Sequence, residues 1–272
     1  MSDFFIFAGP NGSGKSTLIS AFLNDYDVNY LNADYCSKAD PVILTVPDGH
    51  DKSIKAQIET ERQIHKMISS RKSFAWETVF SHKSRFAIME YAKKNGYMIH
   101  LIYINTIDPD INVARVRVRV KQGGHDVRED KIRVWYKRSL SFLPKMILAA
   151  DEVMVYDNYF ENCDPTLLFQ KFFFNENDPD PQMIIWESDD EKIIAWVIER
   201  IIYPLRSLGY SVACYKVVWK ITLSRFSQCF PLQNNRFSKG HWAPDRFYKG
   251  VSGSGGEITK MAESLYYDYF SR

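Results

Sequence analysis

Cysteine is sparse in this chain of 272 residues, and the four present, Cys36, Cys163, Cys214 and Cys229, stand far apart. There is no CxxC pair and no histidine cluster beside them. That argues against a zinc ribbon or a disulfide scaffold and for ordinary thiols in a reducing compartment. Long apolar runs are missing as well; none reaches the roughly 18 residues a membrane-spanning helix needs. Neither sign of charge dominates, since 35 basic and 33 acidic side chains leave a net +2. A polyanionic partner would therefore have to be met by a local basic patch. The chain enters an apolar strand and a glycine-rich loop almost at once, with no stretch for a signal peptide, so a cytoplasmic location is expected. No repeat or long low-complexity tract is seen. What is present, 45% hydrophobic and 25% charged residues, is globular in composition. The length suits one large domain, or one of about 170 residues with an extension.

Through the first 175 residues, short apolar runs alternate with amphipathic stretches. The runs are Phe4 to Ala8, Val28 to Leu31, Ser73 to Trp76, Met98 to Ile104, Glu152 to Tyr156 and Leu167 to Phe174. Helical spacing links Ile54, Ile58, Glu61, His65 and Ile68, and a second helix fits Arg85 to Lys94, with Gly96 as its C-cap. Strands separated by helices predict an α/β fold with a mostly parallel sheet covered on both faces. A domain over 1–175 is expected, followed by a linker at 176–182, inside the acid- and proline-rich "NENDPDPQ". Residues 183–272 form a C-terminal extension whose pattern specifies no single structure. Its expected elements are a last strand at Ile184 to Trp186 and a helix over Glu191 to Leu208, with Ile193, Ile194, Val197, Ile198 and Ile201 on one face. Val212 to Leu223 reads as a strand or a pair, and "SGSGG" at 252–256 has linker composition.

The most specific motif is "GPNGSGKST", Gly9, Pro10, Asn11, Gly12, Ser13, Gly14, Lys15, Ser16 and Thr17. It fits G-x-x-x-x-G-K-[ST] between an apolar strand and a helix-like "TLISAFL", the context this motif requires. In such a loop, backbone N–H groups surround phosphates, the lysine reaches the terminal phosphates and the Ser16 hydroxyl suits Mg²⁺. A transporter cassette is the first rival, because "VSGSGGEIT" near the C-terminus resembles a cassette signature loop. Only "KMAESLYYDYFSR" follows it, however, without the apolar strand and adjacent acids that a cassette needs.

Phosphoryl transfer to a hydroxyl also needs a positioned carboxylate and cations. Asp34, in "YLNADYC", stands just past the second expected strand, where ligands gather in open α/β sheets; its ordinary alternative is a loop cap. Glu77 and Thr78 in "FAWETVFSH" end another strand, either as acceptor ligands or as a plain strand terminus. Cations are supplied between Arg115 and Arg138. The alternation from Arg115 to Val120 fits a half-buried strand. It also fits a helix with Val113, Val116 and Val120 on one face and Arg115 and Arg119 on another, ending at Gly123 and Gly124 as a hinged lid. A solvated charged face and a nucleic-acid patch are the other readings, the latter interrupted by Asp126, Glu129 and Asp130.

Taken in order, the glycine-rich loop, Asp34, "WET" and the run "RV–QGGHDV–KI–Y–RSL–ADEVMVYDN" resemble the zeta-toxin-like P-loop kinases, in their short single-domain branch, from Phe4 to about Asn158. The resemblance implies a three-layer P-loop kinase fold, ATP as donor with Mg²⁺, and transfer of the γ-phosphoryl to a hydroxyl, in known zeta toxins that of UDP-N-acetylglucosamine. It implies Lys15 and Ser16 at phosphate and metal, Asp34 activating the acceptor hydroxyl, and Glu77 and Thr78 on the substrate side. It further implies Arg119 as a phosphate-stabilising lid arginine, with Arg138 and Arg115 behind it, and Asn158 at the adenine-side loop. Trp135 replaces a usual arginine and Arg128 a usual proline. No antitoxin-like segment precedes the loop, so a separate antitoxin protein is the partner the resemblance suggests. The alternatives are a regulatory nucleotide-binding module that transfers no phosphate and a kinase acting on nucleic acid.

Overall fold

The computed structural model describes residues 1–172 apart from Asp48, His125, Glu161 and Asn162, then 182–186, 190–209 and the strand segments 213–215, 232–233 and 236–237. The expected linker, apart from Gln182, lies outside the described residues. So do the glycine–serine stretch at 252–256 and the late aromatics Trp242, Phe247, Tyr248, Tyr266 and Tyr267.

Strand β1 (Ser2–Ala8) is buried along nearly its whole length and lies mid-sheet. The alternation of a strand sorts its side chains onto two faces. Phe4, Ile6 and Ala8 enter one core cluster, Phe5 and Phe7 the other. Helix α1 (Lys15–Asp25) covers the second face with Leu18, Ile19 and Phe22. After β2 (Asn29–Leu31) come two short helices, α2 (Ala33–Ala39) and α3 (Pro41–Leu44), then the long α4 (His50–Ser69). Strand β3 (Phe74–Thr78), α5 (Arg85–Lys94) and β4 (Tyr97–Asn105) follow, then α6 (Pro109–Lys121), α7 (Glu129–Ala149) and β5 (Glu152–Asp157). Strands β6 (Thr166–Phe172), β7 (Gln182–Trp186) and β8 (Ala213–Tyr215) extend the far side of the sheet.

The eight strands run in the order β2-β3-β1-β4-β5-β6-β7-β8. The first five are mutually parallel; β6 is antiparallel to β5 and to β7, and β8 is parallel to β7. This is the expected mostly parallel α/β architecture. Because β1 pairs with β3 on one side and β4 on the other, chain order reverses at the end of β1, the usual position of a ligand crevice. Beyond β7, α8 (Glu191–Val197), a π-helical turn (Ile198–Ile202) and α9 (Tyr203–Ser207) bring Ile193, Trp196, Val197, Ile201, Ile202 and Leu205 into the larger core cluster.

Two readings are settled by packing. The segment from Arg115 to Val120 is helical, and Val113 and Val116 meet Ile132 of α7. On α4 the expected face is corrected: the buried row is Ala56, Thr60, Ile64 and Ile68, whereas Ile54 and Ile58 are exposed. Both rows have helical spacing, and only contact with the sheet chooses between them. At the opposite end of the sheet from the loop, buried His100 bridges Asp3 and Glu152, each at 3.0 Å, and so joins β1, β4 and β5. No helix among the described residues is long and apolar enough to cross a membrane.

Candidate active site

The loop from Gly9 to Gly14 turns on three glycines with positive φ, Gly9 at 144°, Gly12 at 80° and Gly14 at 93°. Such angles are costly for any residue with a Cβ, and the surroundings leave no room for one. A Cβ on Gly9 would lie 2.0 Å from the Ile104 carbonyl oxygen, one on Gly12 2.5 Å from that of Asn112, and one on Gly14 2.2 Å from Asn158 Nδ2. Lys15 folds back over the loop, its Nζ donating to the carbonyls of Gly9 at 2.9 Å and Pro10 at 2.8 Å. Burial lowers the Lys15 pKa; Glu77 opposes the fall, Arg119 adds to it and Asp34 opposes it. Those influences place the ammonium among all three charges. Ser16 and Thr17 are exposed in the first turn of α1, where the helix N-terminus favours an anion.

Two asparagines, buried Asn112 and half-buried Asn158, hold this loop from behind. Asn112 Nδ2 donates to the Asn11 carbonyl at 2.7 Å, while its Oδ1 accepts from the Thr106 hydroxyl. Asn158 Nδ2 donates to the Ser13 carbonyl at 2.9 Å, and Arg115 donates to the Asn158 carbonyl at 2.8 Å. The side chains of Asn158 and Arg115, expected at adenine and substrate, are thus engaged with the loop and its support. Next to Asn158, burial pushes the Asp157 carboxyl up to about 7, against the pull of the Tyr159 and Ile107 amides and of Arg115.

The acceptor side is built by β2 and β3. Tyr30 donates to Glu77 Oε2 at 2.5 Å, and Asn32 Nδ2 donates to the same oxygen at 2.6 Å. Burial first, and then the Glu77 charge, push the Tyr30 phenol well above its usual pKa, which keeps it a donor. Asn32 also caps α2 by accepting from the Asp34 amide at 2.6 Å, which fixes the backbone that carries Asp34 while leaving that carboxylate exposed. Thr78 turns its hydroxyl to accept the Phe80 amide at 3.1 Å. Phe80 is buried with φ of 51°, so the turn just after Glu77 is strained and held by its neighbours.

On the other side, α6 brings half-buried Arg119 within electrostatic reach of Lys15. Gly124 packs on Arg119, where a Cβ would lie 2.6 Å from Cγ, and Gly123 ends the helix with φ of 82°. Arg138 is exposed on α7. The neighbouring arginines are paired with acids: Arg117 with Glu129 at 2.5 Å, Arg133 with Asp110 at 2.6 Å and with Glu129 at 2.8 Å. These pairs tie α6 to α7, so the cationic segment forms a helical hairpin whose base is fixed to the loop through Asn112.

Lys15, Asp34, Glu77 and Arg119 are therefore brought together from four separate elements. Tyr30, Asn32, Thr106, Asn112 and Asp157 belong to the same region and escape a motif search. A faint signal exists for three of them: Tyr30 and Asn32 are two apart at a strand end, and Asn112 is a polar residue on the Val113–Val116 face.

A family model described as an AAA domain matches residues 4–139. A Haemophilus influenzae protein described as uncharacterized is 34% identical over 131 residues, 48% of this chain and 89% of that one. Among solved structures, one from the PezAT chromosomal toxin–antitoxin system of Streptococcus pneumoniae has a TM-score of 0.48 at 15% identity, covering 58% of this chain and 68% of that chain. The AvrRxo1-ORF1:AvrRxo1-ORF2 structure with sulphate ions has a TM-score of 0.49 at 12% identity, covering 62% of this chain and 58% of that one. With its glycine-rich loop inside a match that spans half of its length, the chain belongs to the AAA-domain family of P-loop proteins.

Proposed function

We propose that the protein is an ATP-dependent phosphotransferase that moves the γ-phosphoryl group to a hydroxyl of a small molecule. The observation that carries this reading is the glycine-rich loop with Lys15 folded over it, its ammonium within electrostatic reach of Glu77, Arg119 and Asp34. Phosphoryl transfer requires cations at the donor phosphates and a carboxylate at the acceptor hydroxyl, and in this reading Lys15 and Arg119 supply the first and Asp34 and Glu77 the second.

In this reading the loop amides and the N-terminus of α1 bind the donor phosphates, and Lys15 leaves the Gly9 and Pro10 carbonyls for the phosphate oxygens. Arg119 draws on the same developing charge. Asp34 takes the proton of the acceptor hydroxyl as its oxygen bonds to phosphorus and the bond to the β–γ bridging oxygen breaks, releasing ADP. Glu77, fixed by Tyr30 and Asn32, holds further acceptor hydroxyls, while Arg115 and Asn158 act through the loop. The exposed hydroxyl of Ser16 suits Mg²⁺, which needs few protein ligands beside phosphates and water and would neutralise phosphate charge when bound. A nucleotide-sugar acceptor, a toxic role and an antitoxin partner rest on the motif resemblance, and Arg138 serves as a reserve cation.

The test is ADP release by purified protein with ATP and Mg²⁺, alone and with nucleotide sugars, nucleosides and polyols. Acceptor-dependent release supports the proposal. Tight ATP binding with no turnover on any acceptor would replace it with the regulatory module.

A further inference from the structure

The helices after β7 pack into the core cluster that holds Tyr136, and from Tyr136 a line of hydrogen bonds runs to the phosphate loop. Trp196 of α8 shares the larger core cluster with Tyr136 of α7. The two rings pack among the same buried side chains, the Trp196 indole nitrogen making no hydrogen bond of its own, and burial pushes the Tyr136 phenol up to about 12. The Tyr136 hydroxyl donates to the Thr106 carbonyl at 2.7 Å. The Thr106 hydroxyl donates to Asn112, and Asn112 donates to the Asn11 carbonyl inside the loop. Thr106 and Asn112 are fully buried, so neither bond is readily replaced by one to bulk water. Nothing else in the motif set accounts for this line, and the helices that share its core cluster lie beyond the family match.

We propose that the unit from α8 to α9 is part of the phosphate site, with Trp196 and Tyr136 as positioning residues that set the Asn11 carbonyl through Thr106 and Asn112. The proposal rests on the nucleotide-binding reading above and adds a control point to it. A loop held in shape from behind binds phosphates without first ordering itself, so loosening the line weakens binding and loosens the loop together. Coupling between sites is also reciprocal, so a bound nucleotide must protect α8 as α8 protects the loop.

The experiment is amide exchange by mass spectrometry on the full chain, with and without ATP, for wild type, Tyr136→Phe and Trp196→Phe. Tyr136→Phe removes only the hydroxyl, so the ring packing survives. In wild type, ATP is expected to slow exchange at residues 10–16 and also at 191–197. In Tyr136→Phe, exchange at 11–14 of the free protein should rise, ATP should bind about five- to tenfold more weakly, as for one lost buried hydrogen bond, and 191–197 should no longer respond. Trp196→Phe should behave alike, and combining Tyr136→Phe with Asn112→Asp should lose no more than the larger single loss, since both lie on one line. Protection of 10–16 by ATP with no response in 191–197 would overturn the proposal and leave the nucleotide reading standing. Absence of any ATP effect on wild type would overturn that reading; positioning would then be decided by exchange at 11–14 in the free proteins, and unchanged rates in both variants would reject it.

Discussion

Asp34 and Gly14 answer different questions at the level of single residues. The Asp34 carboxylate is exposed and its backbone is fixed by Asn32, so Asp34→Asn should fold normally and bind ATP as wild type does. Its transfer rate should drop on the order of a hundredfold or more, as for loss of a positioned base. An unchanged rate with the true acceptor would remove Asp34 from the chemistry. Gly14 tests the loop itself. Gly14→Ala puts a Cβ into left-handed backbone, at about 1–2 kcal/mol, and against Asn158 Nδ2. It should reduce both melting temperature and ATP affinity, whereas Gly96→Ala, with φ of 77° but open space around it, should affect the melting temperature alone.

At the level of elements, His100 gives the pH dependence a sign. Burial alone would lower the imidazole pKa, but the hydrogen bonds His100 donates to Asp3 and Glu152 outweigh it and hold the value at about 9, above the usual 6.5. A raised folded pKa contributes stability that is fully present below pH 6.5 and lost as pH rises through about 9. Urea denaturation should therefore show stability falling between pH 6.5 and 9, and His100→Gln should flatten that slope; an equal slope in the variant would assign it elsewhere. Helix α4 supplies a second comparison. Ile64→Ala should cost about 2–5 kcal/mol because it empties a core position. Ile58→Ala should stay within about 0.5 kcal/mol, since that side chain is exposed.

For the molecule as a whole, nucleotide binding is readable as stability. A ligand at a hundred times its dissociation constant adds about 2.7 kcal/mol, which for a protein of this size raises the melting temperature by roughly 5–10 °C at 2–4 °C per kcal/mol. Wild type should show that rise with MgATP, and Lys15→Ala should lose it without unfolding, because its ammonium donates to two carbonyls of the phosphate loop and to no element of the core sheet or helices. A full rise in Lys15→Ala would place the nucleotide elsewhere.

The phosphate loop and the order of strands and helices were legible in the residues because both depend on short-range rules. Glycines at fixed spacing permit one tight turn, and apolar runs of four to eight residues that alternate with helical stretches fit buried strands. Two patterns were ambiguous for the same reason. The arginine–valine alternation satisfies strand and helix alike, and α4 carries two apolar rows, so packing against α7 and the sheet had to choose. What only the tertiary structure decided is which side chains stand behind and around the loop. Asn112 meets Asn11 across 101 positions, and Asn158 meets Ser13 across 145. Such contacts follow from strand order and helix packing rather than from local spacing, so the sequence by itself determined that a P-loop stands at the end of β1. The fold determined how that site is braced and which charges face it.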